Sequence, residues 1–130
     1  MRNNFLSFLL FFAAFLAPIQ AVGLAIGFLV FSDLATGVWA SLKEGKRFSS
    51  DRLGRSVTKL MVYCTSLVVG LVAQKYVFED AIPIVKVVAG MLAGVELTSI
   101  GENLTRISGI DFRAVFKRVL PAQKDKEDRQ

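Results

Sequence analysis

DLATGVWASLKEGKRFSSDRLGRSVTK (residues 33–59) is the stretch that decides the fold. An apolar run enters it carrying one acid, Asp33, followed by Thr36, Gly37, Trp39 and Ala40, after which the chain turns basic. Lys43, Lys46, Arg47, Arg52, Arg55 and Lys59 stand against Glu44 and Asp51, and two further apolar stretches follow. A positive segment between apolar runs is the mark of a loop held on the cytoplasmic side of a membrane.

Composition agrees. Of 130 residues, 53% are hydrophobic and mean hydropathy is +0.50, too apolar for a small soluble globule, which needs a large polar surface around a modest core. The net charge of +5 sits in blocks beside the apolar runs, which points to an anionic membrane surface and away from nucleic acid. The chain has one cysteine, Cys64, and no histidine, so an intramolecular disulfide and a zinc or thiol-catalytic site are excluded; Cys64 reads as packing inside an apolar helix. There is no Ser/His/Asp set and no GxxxxGK phosphate loop, and Glu96 and Glu102 fall on different sides of a helix. The expectation is a protein that is not an enzyme and carries no cofactor.

Residues 5–31 carry no charge, and Pro18 divides them. Residues 5–17 are Phe-rich and short for an independent crossing, which takes about 17 residues or more. Residues 1–18 are therefore a hydrophobic arm, or the first part of a long tilted helix kinked at Pro18. A cleaved secretory signal fits poorly, because Arg2 is a thin positive region, Ile19 is not small, and the apolar run continues past Ala21. Crossings are expected at about 19–41, 60–78 and 83–102, within a membrane domain of residues 19–110. The basic loop and the basic tail (Arg106, Arg113, Lys117, Arg118, Lys124, Lys126, Arg129) place the C-terminus inside and the N-terminus outside.

Residues 111–121 form a further pattern. Phe112, Val115, Phe116, Val119 and Leu120 make an apolar stripe, with Arg113, Lys117 and Arg118 off it, Asp111 as N-cap and Pro121 as stop. This predicts a basic amphipathic helix lying in the interface, its Phe residues inserted and its cations on anionic headgroups, unless the stripe packs on a neighbouring subunit. Residues 122–130 read as a disordered charged end. The fold class is an all-α integral membrane protein with three transmembrane helices plus this C-terminal amphipathic helix.

Small residues recur four apart at Gly23 and Gly27, at Ser66 and Gly70, and at Gly90 and Gly94. In lipid such spacing lets helix backbones approach, within one chain or between copies. Asp33 and Glu96 are acids inside apolar spans, costly unless paired, protonated or facing water. Both lie at the depth where Lys59 enters the second crossing, so Asp33, Lys59 and Glu96 are expected to form a polar cluster that pins the helices or passes ions. Glu96, Ser99 and Asn103 share one face of the third helix, with Glu102 beside Asn103, and that face suits an interface or a wet pore.

These residues carry a resemblance. Asp33, Thr36, Gly37 and Ala40, then Ser49, Ser50, Gly54 and Lys59, then Glu96, Ser99, Glu102, Asn103, Leu104 and Gly109 resemble the phage holin family that includes toxin-secretion holins, over residues 23–109. The resemblance implies a small homo-oligomeric protein of the bacterial inner membrane that opens lesions, letting an endolysin or a toxin leave without direct contact with it. Thr36, Gly37 and Ala40 are counted with the small residues expected to pack helices or subunits. Residues 5–17 and the extended basic tail depart from the family pattern. The residues alone leave two alternatives: a membrane scaffold that recruits a cytoplasmic partner or anionic lipid, and a small ion-conducting pore.

Overall fold

The computed structural model describes residues 2–47, 49–112 and 114. Three helices account for most of them: α1 (Arg2–Lys43), α2 (Ser50–Tyr76) and α3 (Ile84–Ser108). Each contains a window long and apolar enough to cross a membrane, and no strand occurs among the described residues. The chain is an all-α integral membrane protein.

α1 runs through Pro18 as a single helix, so residue 18 lies within the element. Its 42 residues span about 63 Å at 1.5 Å per residue, roughly twice the thickness of a hydrocarbon core. Phe5, Leu6, Phe8, Leu9, Leu10, Phe11 and Phe12 are all exposed, because α2 and α3 reach α1 only from about Phe15 onward. α2 begins ten residues before Leu60. Ser49 is its N-cap, extended in backbone and accepting the Asp51 amide, so the polar residues 50–59 form helix instead of loop. The C-terminus of α3 is closed by Gly109, whose φ of 73° glycine adopts without strain.

The loop between α2 and α3 is held by one side chain. Gln74 donates from Nε2 to Asp80 Oδ1 at 2.9 Å, while its Oε1 accepts the Val85 amide at 3.1 Å. Pro83, the N-cap of α3, offers no side-chain acceptor, and Gln74 supplies it from the preceding helix. Glu79 and Asp80 turn the chain with φ of 47° and 60°, a left-handed conformation that non-glycine residues adopt at a cost.

The register follows from the contacts. Ile19 of α1 packs with Leu67 and Leu71 of α2 and Val85 of α3; one layer on, Ile26 and Val30 meet Tyr63. α1 and α3 therefore run parallel, with α2 antiparallel between their directions, and every pair of helices is in contact. Gly70 allows one close approach: a Cβ there would stand 3.6 Å from Val88 Cγ2 and 3.7 Å from Ile84 Cγ2. The bundle is thin. Only 11% of the apolar windows of α1 and α3 is buried within the chain, leaving the rest to lipid or to other copies.

Cys64 corrects one expectation. It is exposed on the outer side of α2 rather than packed in the core, and it borders an apolar groove with Leu16, Gln20 and Gly23 of α1. Asp111 accepts the Ala114 amide at 3.1 Å, and Phe112 and Ala114 are helical. Arg113, Phe116, Lys117 and Arg118 of the expected amphipathic helix lie outside the described residues.

Replacing Gln74 with Ala strips the Val85 amide and Asp80 of their partner, a loss of about 1 kcal/mol. The expected result is faster deuterium exchange in the first turn of α3, with the far turns of α2 and α3 unchanged.

Candidate functional site

The site is built on one stripe of α2. Arg52, Ser56, Lys59 and Tyr63 stand at i, i+4, i+7 and i+11, so a single helical face presents all four to the other two helices. Ser56 and Tyr63 are buried, and Arg52 and Lys59 are half-buried.

Lys59 is the centre. Its Nζ lies 2.8 Å from Asp33 Oδ2 on α1 and 3.1 Å from Glu96 Oε1 on α3. Glu96 is fully buried, and Tyr63 donates its hydroxyl to Oε1 at 2.6 Å. On the other side Asn103 Nδ2 donates to Asp33 Oδ1 at 3.0 Å, to the Asp33 carbonyl at 3.3 Å and to Thr36 Oγ1 at 3.3 Å. One ammonium thus bridges two carboxylates, and a phenol and an amide supply further donors. Burying charge from three helices is tolerable because each carboxylate is both ion-paired and hydrogen-bonded.

Small residues make the cluster possible. At Gly37 a Cβ would stand 3.0 Å from Arg52 Nη1 and 3.3 Å from Asn103 Nδ2, so any larger residue would push both side-chain ends back by a few tenths of an ångström, and Arg52 Nη1 donates to the Gly37 carbonyl. Ala40 is fully buried one turn further on. Beside it Ser41 is buried with its hydroxyl lacking a hydrogen-bond partner among the described residues. Thr36 is turned to its own helix, donating to the Ser32 carbonyl at 2.8 Å.

A second layer closes the same end. Arg106, in the last turn of α3, holds Glu44 in a two-pronged pair, Nε to Oε1 and Nη2 to Oε2 at 2.8 Å each. Lys46 adds a bond to Glu44 Oε2 at 2.8 Å, and Lys43 Nζ donates to the Ile107 carbonyl, which lies at the C-terminal end of α3 where a cation is favoured. The Arg106 guanidinium, then Lys46, push the Glu44 carboxyl down from 4.5 to about 2. Its charge therefore persists well below neutral pH.

Other expected residues are placed differently. Ser99 and Glu102 border a polar cleft of about 280 Å³ that adjoins the cluster, together with Arg52, Arg55 and Ser56. Among the paired small residues only Gly70 is approached closely by a neighbouring helix; Gly23, Gly27, Gly90 and Gly94 have nothing within 4 Å of a notional Cβ, and Ser66 bonds its own backbone at Val62. Sequence reasoning missed Tyr63, Arg52 and the Glu44–Arg106 pair. The signal for the first was its position one turn beyond Lys59 on the same face. Chemically the site holds charge and joins helices; among the described residues no group of His, Cys, Asp and Glu is disposed to hold a metal ion.

A model of the bacteriophage holin family matches residues 10–125, nearly the whole chain. The chain belongs to the bacteriophage holin family. The match takes in all three helices as well as parts of the Phe-rich start and the basic tail, beyond residues 23–109 that carry the motifs. Comparison with curated proteins and with solved structures gives no match. Holins are membrane proteins without enzymatic activity, and this chain is a multi-pass membrane protein of holin type.

Two outcomes are expected. Lys59→Met leaves two carboxylates facing each other at the helix junction and should destabilise the bundle by roughly 3 kcal/mol, the lower end for a broken buried pair. Combining it with Asp33→Asn and Glu96→Gln should restore most of that loss, as read by thermal unfolding in detergent; equal stability of the single and triple variants would mean the charges do not hold the helices. Because the Glu44 pKa is depressed on folding, its stabilisation is present in full above about 4.5 and lost as pH falls through about 2. NMR titration of the Glu44 carboxyl should show a midpoint near 2, rising in Arg106→Gln.

Proposed function

We propose that the chain accumulates in the bacterial inner membrane as a homo-oligomer and opens lesions through which an endolysin leaves the cell, ending in host lysis. Membership of the holin family supports this reading, and so does an acid–lysine cluster, with Glu96 fully buried, that joins three helices each carrying an apolar membrane-length window. The basic loop and the tail face the cytoplasm in this reading, where positive charge is retained. Gly23 and Gly27 on α1 and Gly90 and Gly94 on α3 have open space beside them and are the proposed subunit contacts.

In the sealed form Asp33 and Glu96 satisfy Lys59 within each chain, and the exposed helix faces meet lipid. At a threshold density, or on loss of membrane potential, subunits rearrange so that the face carrying Ser99, Glu102 and Asn103 meets water. Water then replaces the intrachain partners of the two acids, which lowers the cost of separating the helices. The endolysin needs only the opening and makes no contact with the holin.

Inducing the protein alone and with a cytoplasmic endolysin, while following membrane potential and enzyme escape, tests this directly. Abrupt depolarisation with endolysin-dependent lysis is expected. Depolarisation without enzyme escape would indicate a small channel, and an intact potential at high membrane expression a scaffold. Asp33→Asn with Glu96→Gln should shift the time of onset, and Gly90→Leu with Gly94→Leu should reduce cross-linked oligomers while leaving membrane insertion intact.

A further inference from the structure

We propose that the polar cleft beside the buried cluster is a binding site for the phosphodiester headgroup of a membrane phospholipid. The cleft has a volume of about 280 Å³ and is bordered by Arg52, Arg55, Ser56 and Lys59 of α2 and by Ser99 of α3. Arg52 and Arg55 lie in the first two turns of α2, directly after the loop carrying Lys46 and Arg47. That is the level at which a spanning helix leaves the hydrocarbon and meets headgroups.

Three of the donors that border the cleft, on Arg55, Ser56 and Ser99, are unspent, whereas Arg52 donates to the Gly37 carbonyl and Lys59 to Asp33 and Glu96. Ser32, Thr36, Thr58, Thr65, Ser66, Thr98, Thr105 and Ser108 each donate to a carbonyl of their own helix four residues back. Ser56 and Ser99 do not, and neither they nor the Arg55 guanidinium make a hydrogen bond or ion pair among the described residues. A guanidinium with two free hydroxyls beside it matches the oxygens of a phosphodiester, and arginine is the side chain best suited to that geometry.

Two carboxylates border the same cleft and have other commitments. Asp33 accepts from Lys59 and Asn103 through its separate oxygens, and Glu102 has an interaction of its own. The surroundings argue for a lipid over a free anion. Two turns along α2 from Arg55 lies Val62, and two turns along α3 from Glu102 lies Val95; both are exposed, at 54% and 53%. Acyl chains descending from a headgroup in the cleft would run over these apolar faces, whereas a soluble phosphate gains nothing from them.

The test uses the full chain in a neutral detergent, with dioleoylphosphatidylglycerol as the probe and bound lipid counted by native mass spectrometry. Arg55→Gln should weaken binding about tenfold, the loss of one charge-assisted contact, and Ser56→Ala with Ser99→Ala should weaken it severalfold. Arg47→Gln, the same change of charge in the loop outside the cleft, should leave binding nearly unchanged. Because Arg55 makes no bond to the described protein, its replacement leaves the bundle intact. Equal losses in Arg47→Gln and Arg55→Gln would overturn the proposal in favour of diffuse surface charge. So would equal retention of a dioleoylglycerol lacking phosphate, or full protection by inorganic phosphate alone.

Discussion

Everything at the closed end of the bundle depends on one ammonium shared by two carboxylates. Lys59 of α2 reaches Asp33 of α1 at 2.8 Å and Glu96 of α3 at 3.1 Å, so a single side chain ties all three helices together. In water such a triad would contribute little, because each group is as well solvated apart as together. In a bilayer the alternative to pairing is a bare charge in hydrocarbon, and that cost, rather than the attraction itself, enforces the assembly. Gly37 and Ala40 suit it: α1 presents almost no side chain where Arg52 and Asn103 cross, so both reach their partners without being displaced. The Tyr63 hydroxyl and the Asn103 amide suit it too, since two carboxylates need more donors than one lysine provides.

The features legible in sequence were those that hydrocarbon makes compulsory. Apolar runs mark the three helices, and an acid within such a run demands a partner at the same depth, which Lys59 supplies. The start of α2 was not legible in that way. Arg52, Arg55 and Lys59 count as loop by charge, although Ser49 is a cap and the cations lie on a helical period. Tyr63 was hidden because a tyrosine in an apolar run looks like packing. The Glu44–Arg106 pair was hidden because its members are 62 residues apart, and nothing local to either names the other. Small-residue spacing told where backbones can approach without telling which do: Gly37 and Gly70 meet neighbouring helices, while Gly23, Gly27, Gly90 and Gly94 do not.

The polar contacts are distributed unevenly along the bundle, and this bears on how such a fold comes apart. The end near the basic loop holds the Asp33–Lys59–Glu96 triad, the Glu44–Arg106 pair, and bonds from Arg52 and Lys43 to backbone carbonyls. The middle holds two small apolar clusters around Leu67, Leu71 and Val30, and the far end has the Gln74 clasp and a length of α1 that touches neither partner. In water the apolar clusters would dominate. In lipid they exchange one hydrocarbon neighbour for another and gain only the difference in packing. Cohesion is therefore concentrated where the charges are, and in the apolar middle the helices could exchange neighbours with those of another copy without breaking an ion pair. Separation of the helices at the basic end requires new partners for three charged groups at once, which only water or the charged groups of other subunits can provide. At that end no one of the three charged groups can leave without stranding the charge of another.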